Sequence, residues 1–422
     1  MKKLVTASLA AVAVGFGALT VTVPSSAATE PQQVSGQIIV KFRDNGAALG
    51  LLRQNGLSDG AGIGSTGAHL IKVPAGKESQ LIESLSRNPA VEYAEPDQLV
   101  TAAVGEPDPD YFPRQYALNN EGQSFTSTNN SVAVAGGTVD ADVDAVEAWD
   151  VTTGDGIKVA VLDTGVATDN DDIAAKVVLR ANFSTAATGE DNYGHGTHVA
   201  GIIAATKDTD GVSGVCPDCS ILDGKVISDS GSGSTSSIIN GINWAVANGA
   251  KVINMSLGQP VPSQALEAAV NNAWNNGVVV VAAAGNAGTE VPMYPAAYPN
   301  VIAVAATDNN DAKASFSTYG QWVDVAAPGV DVYSTFPKHP FTIGTQSNRE
   351  MGYDIASGTS MASPAVAGVA ALVWSTPAGS DNKSVRATVE STADAAVVGT
   401  GSYWAHGRVN ACKAVAGVCD QP

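Results

Sequence analysis

Positive charge is what this chain has least of. Its 422 residues carry 22 Lys+Arg against 41 Asp+Glu, a formal net charge of −19. Nucleic acids and anionic membrane surfaces recruit basic proteins, so neither is an expected partner. Long apolar runs are missing everywhere beyond the N-terminus. That excludes a bilayer-spanning helix in the remainder and leaves a soluble mature chain as the expectation. There is no internal repeat and no low-complexity tail, and the Gly/Ser patch SDSGSGSTSS is short enough to be a loop. Cysteines number only four, in two local pairs, Cys216 with Cys219 and Cys412 with Cys419.

What is present begins with MKKLVTASLAAVAVGFGALTVTVPSSAA, two lysines followed by an apolar run and then small residues. This pattern is a secretory signal, residues 1–28, cleaved after Ala27 or Ala28. An exported chain meets an oxidising compartment, where local cysteine pairs form disulfides by default. A four-thiolate zinc site is disfavoured by the wider spacing of the second pair. A redox motif would sit at a helix start after a strand, whereas CPDC lies in a loop after GVSGV.

Residues 36–100 read as a small α+β unit. QIIVKF and HLIKV alternate like strands, KESQLIESLSRN has helical periodicity, and VEYAEPDQLV ends in a further strand. TAAVGEPDPD then reads as a linker. Beyond it the texture changes to buried strands (IKVAVLD, ILDGKVI, KVINMSLG, VVVVAAAGN, VIAVAATD) alternating with helices (THVAGIIAA, SIINGINWAVANG, SQALEAAVNNAWNNG). This alternation predicts an α/β fold, a mostly parallel sheet covered by helices on both faces. In such sheets a site lies beyond the carboxyl ends of the strands.

Four stretches fall at that edge. IKVAVLD ends in Asp163, and an acid closing a buried strand needs a partner. GHGTHVAG carries His195 and His198. It lacks the glutamate and the spacing of a zinc-protease helix, so His195, flanked by glycines, reads as a catalytic imidazole at a helix start and His198 as structural. Asn286, after VVVVAAAG, is either a turn residue or an amide aimed at a developing oxyanion. In GTSMASPAVAG the hydroxyls are either helix caps or contain a nucleophile at Ser360. Together Asp163, His195 and Ser360 supply acid, base and nucleophile, with Asn286 as oxyanion donor. A serine hydroxyl needs a base to take its proton, and the base needs an acid to fix its tautomer.

VAVLDTGV, GHGTHVAG, INMSLG, AAAGNAG and SGTSMASPAVAG, in that order, resemble the sequence blocks of the subtilisin-like serine peptidases, the subtilases, whose triad runs Asp, His, Ser along the chain. QYALNN and HGRVNACKAV resemble the ends of subtilisin-like and thermitase-like catalytic domains. The resemblance implies a three-layer subtilisin-like domain over residues 104–422, preceded by a propeptide at 29–103 that acts as folding chaperone and intramolecular inhibitor. It implies an exported endopeptidase acting on protein and peptide substrates through an acyl-enzyme, and a monomer is expected. The substrate backbone would add as a strand between Gly231, Ser232, Gly233 and Ser234 on one side and Ser256, Leu257 and Gly258 on the other.

By the same resemblance the primary pocket has Met293 where many members place a small residue. A thioether there shortens the pocket, and Ala287 and Thr235 add neither charge nor an aromatic lid. Small-to-medium apolar residues are expected, with autoprocessing after Ala103. Calcium is the implied cofactor, with Asp172, Asp208, the carbonyls of Thr206, Asp210 and Val212, and Asp110 as its ligands. DADVDAVEAWD, residues 140–150, lacks the glycine and closing glutamate of an EF-hand and reads as a charged turn. A narrow processing peptidase of the kexin type and a catalytically silent relative are the rival readings. The SMASP block counts against the first and the intact triad against the second.

Overall fold

A computed structural model describes residues 33–43, 45–58, 60–62, 68–98 and 111–419. The signal stretch, the Ala103–Val104 junction and Asp110 lie outside the described residues. The chain divides into two compact units, the first within Met1–Ala103 and the second within Val104–Pro422.

The first unit contains β1 (Gln33–Phe42), α1 (Asn45–Gln54), β2 (Ala61–Gly62), β3 (Ala68–Lys72), α2 (Glu78–Ser86) and β4 (Val91–Gln98). Its antiparallel sheet has the order β2-β3-β1-β4. Ile38, Val40, Ile71, Leu85 and Val91 form its small core. Helix α1 was not legible in the sequence, because NGAALGLLRQ is rich in glycine and short of a polar face.

The second unit opens with the hairpin β5 (Phe125–Thr126) and β6 (Ala133–Val134) and the short α3 (Ala145–Trp149). Then come β7 (Lys158–Asp163), α4 (Asp171–Ala174), β8 (Val177–Asn182), α5 (His195–Ala204) and β9 (Ser220–Lys225). The next run is α6 (Thr235–Ala247), β10 (Val252–Met255), α7 (Gln264–Asn275), β11 (Val279–Ala283) and β12 (Ile302–Thr307). It closes with β13 (Val325–Pro328), β14 (Val332–Thr335), α8 (Thr342–Ser347), β15 (Tyr353–Ala356), α9 (Thr359–Trp374), α10 (Asn382–Ser391), β16 (Gly407–Arg408) and α11 (Ala411–Ala416).

Eight strands form one sheet in the order β16-β13-β12-β11-β10-β7-β9-β8, and every pairing in it is parallel. Successive residues of β7 show why its sequence is apolar throughout. Val159 and Val161 face a core shared with α5 and α9, whereas Ala160 and Leu162 face one shared with α6 and α7. Helix α9 is apolar around its whole circumference, which suits a helix buried on all sides.

The topology also fixes where a site can form. From β7 the chain moves outward to β8 and β9, then crosses to β10 on the other side of β7. The carboxyl ends of β7 and β10 therefore flank the switch point, where open parallel sheets leave a crevice.

Both cysteine pairs are disulfide-bonded, Cys216 to Cys219 and Cys412 to Cys419. Among the described residues no helix is long and apolar enough to cross a membrane.

Candidate active site

Asp163 closes β7 at the switch point and is only 2% exposed. Its Oδ1 accepts the Thr164 N–H at 2.7 Å and lies 2.7 Å from His195 Nδ1. Such closeness requires that the start of α5 press against the turn after β7. Gly196 permits this, since a Cβ there would lie 2.1 Å from the Gly165 carbonyl oxygen and 3.2 Å from the Asp163 Cβ.

The start of α5 is held by a residue the sequence reading passed over. Asp191 is fully buried, and its carboxylate accepts the N–H groups of Gly194 and Thr197 and the hydroxyls of Thr197 and Thr164, all at 2.6–2.9 Å. It serves as the helix cap, and the signal was available: an acid shortly before the periodic stretch that begins at His195.

The two histidines of α5 have opposite fates. Burial pushes the His195 imidazole down, but the charge of Asp163 and its hydrogen bond outweigh this and leave the pKa above the ordinary 6.5. His198 is fully buried, with Nε2 3.2 Å from the Asp354 carbonyl. Burial, then the neighbouring His195, push it down to about 3, so it stays neutral.

Ser360 sits in the first turn of α9. The N-cap is Gly358, without a side-chain cap bond, so the capping reading of these hydroxyls fails and the Ser360 hydroxyl is left for other partners. It donates to the Ser256 carbonyl at 3.3 Å. Pro364 lies inside α9 and has no N–H, so the Ser360 carbonyl loses its usual i+4 donor. Ser256 Oγ takes that place at 2.8 Å. Asn254 Nδ2 donates to Ser256 Oγ at 3.0 Å, and Ser363 Oγ donates to Asn254 Oδ1 at 2.7 Å. This ring ties α9 to the end of β10.

Asn286 follows β11 and is exposed. Its Oδ1 accepts both the Thr359 N–H at 2.9 Å and the Thr359 hydroxyl at 3.0 Å. Two donors on Oδ1 fix the amide, and with it the position of Nδ2. A Cβ on Gly358 would stand 3.3 Å from that nitrogen, so the bare backbone keeps the approach open.

A cleft of about 630 Å³ runs from this group, lined by Asp163, His195, Tyr193, the segment Gly231–Thr235, Ile238 and Ser256–Gln259. The two segments expected to grip a substrate strand thus wall one cleft. Thr235 Oγ1 donates to Gln259 Oε1 at 2.9 Å across it. Met293 is half-buried between Gly258 and Gly285: Cβ atoms built there would lie 3.5 Å from its Cε and 2.9 Å from its Cγ.

Away from the cleft, Asp172 is buried and its Oδ2 accepts the Val212 N–H at 2.7 Å. Its Oδ1 is buried with no hydrogen-bond partner. Asp208 is exposed and caps its own loop through the Asp210 N–H at 2.8 Å. A separate group, Asp140, Asp142 and Asp144, brings its carboxylates within 4.8 Å of one another. There Asp142 pins the backbone N–H groups of Asn120 and Asp144, at 2.7 and 2.6 Å, in the turn that leads into α3.

Chemically, a buried acid and an imidazole bound to it line one cleft, and Ser256 of its wall is hydrogen-bonded to both the hydroxyl and the carbonyl of Ser360, groups of the kind acyl transfer uses. A profile described as the Subtilase family matches residues 154–409, and one described as the Fervidolysin N-terminal prodomain matches residues 20–97. Thermitase of Thermoactinomyces vulgaris is 51% identical over 275 residues, 65% of this chain and 93% of that protein. The thermophilic serine proteinase of Bacillus sp. strain AK1 is 40% identical over 391 residues, covering 90% of this chain and 88% of its own. Among solved structures, one of proteases from Pseudoalteromonas arctica PAMC 21717 superposes with a TM-score of 0.60 at 31% identity, over 66% of this chain and 94% of that one.

Opposite shifts on one helix are measurable without turnover. In a Ser360→Ala background, NMR titration will give His195 a pKa above 6.5, falling when Asp163 becomes Asn, while His198 stays neutral throughout. Stability from the Asp163–His195 pair follows the same sign: fully present in acid, lost as pH rises through the folded-state pKa of His195. A His195 value below 6.5 with Asp163 intact would contradict the assignment.

Proposed function

The chain belongs to the subtilase family and is a subtilisin-like serine protease made with an N-terminal prodomain, and from that premise we propose that it is an exported, calcium-stabilised, self-processing endopeptidase of broad specificity. The observation that carries the reading is the Asp163–His195 contact at the floor of a cleft whose other wall, Ser256, is bonded to Ser360.

In this mechanism Ser360 Oγ attacks the peptide carbonyl while His195 takes its proton and later passes it to the leaving amine. Asp163 holds the Nδ1–H and stabilises the imidazolium. The Asn286 amide and the Ser360 backbone N–H receive the developing oxyanion, a donor typically worth ~10²–10³ in turnover. The α9 N-terminus adds its partial positive charge. Water then hydrolyses the acyl-enzyme by the same steps in reverse order.

Residues 1–28 supply export and 29–103 the prodomain, released after Ala103. Substrate enters as a strand between Gly231–Ser234 and Ser256–Gly258. Met293, lying between Gly258 and Gly285, shortens the primary pocket toward small and medium apolar side chains.

Calcium fits the residues around Asp172. Burial pushes this carboxyl up to about 7, and one of its buried oxygens lacks a donor. A cation in contact would supply what both features lack. Asp172, Asp208 and the carbonyls of Thr206, Asp210 and Val212 would hold it, with Asp110 from the segment ahead of Tyr111. The ion would add stability, not chemistry.

Three experiments test these points. Intact mass of the secreted product should start at Val104 in wild type, while Ser360→Ala keeps its prodomain covalently attached. Both chains remaining uncut would overturn self-processing. On a panel varying the residue before the cut, wild type should favour Ala over Phe and Leu, and Met293→Gly should raise the Phe:Ala ratio of kcat/KM roughly 10-fold or more. A wild type that already prefers Phe removes the pocket argument. Calcium at ~100-fold above its Kd should stabilise the Ser360→Ala protein by about 2.7 kcal/mol, so chelator should lower Tm in that protein but not after Asp172→Asn. An unchanged Tm sinks the calcium assignment.

A further inference from the structure

The stretch between β14 and β15 forms a loop closed at its base and packed on the turn that carries His195. Phe336 and Gly352 pair at the base through the Phe336 N–H and the Gly352 carbonyl at 2.6 Å. Asn170 Nδ2 donates to both of their carbonyls, at 2.9 and 2.8 Å. Inside this closure Phe341 is 4% exposed and Phe336 is fully buried.

These two rings reach both sides of the catalytic histidine. Phe341 packs on Gly194, where a Cβ would stand 2.3 Å from its ring. Phe336 stacks on Phe341 with centroids 4.8 Å apart and 23° between planes. Phe336 also meets His198, with centroids 4.8 Å apart and the planes tilted by 50°. A chain of ring contacts therefore runs from the residue before His195 to the residue one turn after it. The backbone ahead of His195 is gripped as well. Thr342 and Ile343 donate their N–H groups to the Asn192 and Tyr193 carbonyls at 3.0 and 3.1 Å. Asp191 holds the N–H groups of the same turn from the opposite side.

We infer that the loop from Phe336 to Gly352 is a clip that sets the position of the general base, with Phe341 as its positioning residue. The inference rests on the reading of His195 as that base. Without the Phe341 ring nothing in the stack bears on Gly194, a residue with φ of +99° and no side chain of its own to resist movement. The first turn of α5 then pivots, the Asp163–His195 contact lengthens, and the imidazole leaves the reacting hydroxyl. Displacement of a catalytic group by about 1 Å costs on the order of 10²-fold in rate.

Phe341 is not among the residues that line the cleft, so its removal bears on position more than on binding. In the full secreted enzyme, Phe341→Ala should lower kcat on a short peptide ester by roughly 10- to 100-fold with KM near wild type. In the Ser360→Ala background the same change should bring the His195 pKa back toward 6.5, which simple loss of stability does not do. Phe341→Met, which keeps most of the volume, should restore most of both.

Unchanged kcat and unchanged His195 titration in folded Phe341→Ala would overturn the clip. Should that variant fail to fold, Phe341→Leu decides, a lowered kcat with retained KM supporting the proposal and wild-type values refuting it. A wild-type protein with no hydrolytic activity would refute the parent reading instead, so the two failures are distinguishable.

Discussion

A carboxylate buried at the end of a strand, 2.7 Å from an imidazole, is the contact around which this fold is arranged. Taking charge out of water costs several kcal/mol per ion unless hydrogen bonds and opposite charges offset it. Oδ1 of Asp163 has the Thr164 N–H and His195, Oδ2 is buried with no hydrogen-bond partner, and the turn beyond is braced by charged side chains. The turn Thr164–Val166 has its carbonyls held by Lys225 and Arg180 and its Val166 N–H by Asp223. Asp223 and Lys225 come from β9, whose register sets Asp223 beside Val161 and Lys225 beside Asp163. Burial pushes the Asp223 carboxyl up to about 7, and Arg180 at 2.7 Å opposes that. Charges are thus placed in a buried strand at the level where β7 must stop and turn.

The remaining groups arrive on helix starts, and each start is shaped by what it lacks. Helix α5 lacks a side chain at Gly196, which lets it press on the β7 turn. Helix α9 lacks a donor at Pro364, which frees a carbonyl for Ser256. Both helices pack on each other and on the inner face of the sheet. His195 and Ser360 therefore sit on two packed helices and Asp163 on the strand beneath them, regular elements of the kind that hold a site precisely.

Sequence made the three-layer architecture and the residues of the cleft legible, because buried parallel strands are continuous apolar runs and catalytic residues cluster at their ends. IKVAVLD, KVINMSLG and VVVVAAAGN became β7, β10 and β11, and the last residues of the first two line the cleft. The edge strand β8 escaped notice because Val178 and Leu179 are exposed and Arg180 is polar. Strand β13, DVAAPG, was too short and alanine-rich to stand out. The supporting shell was harder still. Asp223 and Lys225 were read as part of an apolar strand, although charges in such a run signal a buried pair. Asn254 and Ser363 sit more than a hundred positions apart, and only the packing of α9 on β10 makes their bond. Phe336 and Phe341 belong to no periodic pattern at all, so their stack on α5 had no trace in the chain before folding.

The ring through Ser360, Ser256, Asn254 and Ser363 has one more implication. On the proposed mechanism Ser256 belongs to the wall that a substrate strand aligns against, while its hydroxyl also holds the carbonyl of Ser360, the residue proposed to attack. Grip and blade are therefore parts of one mechanical linkage. A peptide that seats squarely leaves the linkage at rest, while one that pries the wall outward drags the blade with it. Poorly fitting substrates are handicapped twice, once by weaker contact and once by a displaced edge, so selectivity can exceed what the cleft's surface alone would give.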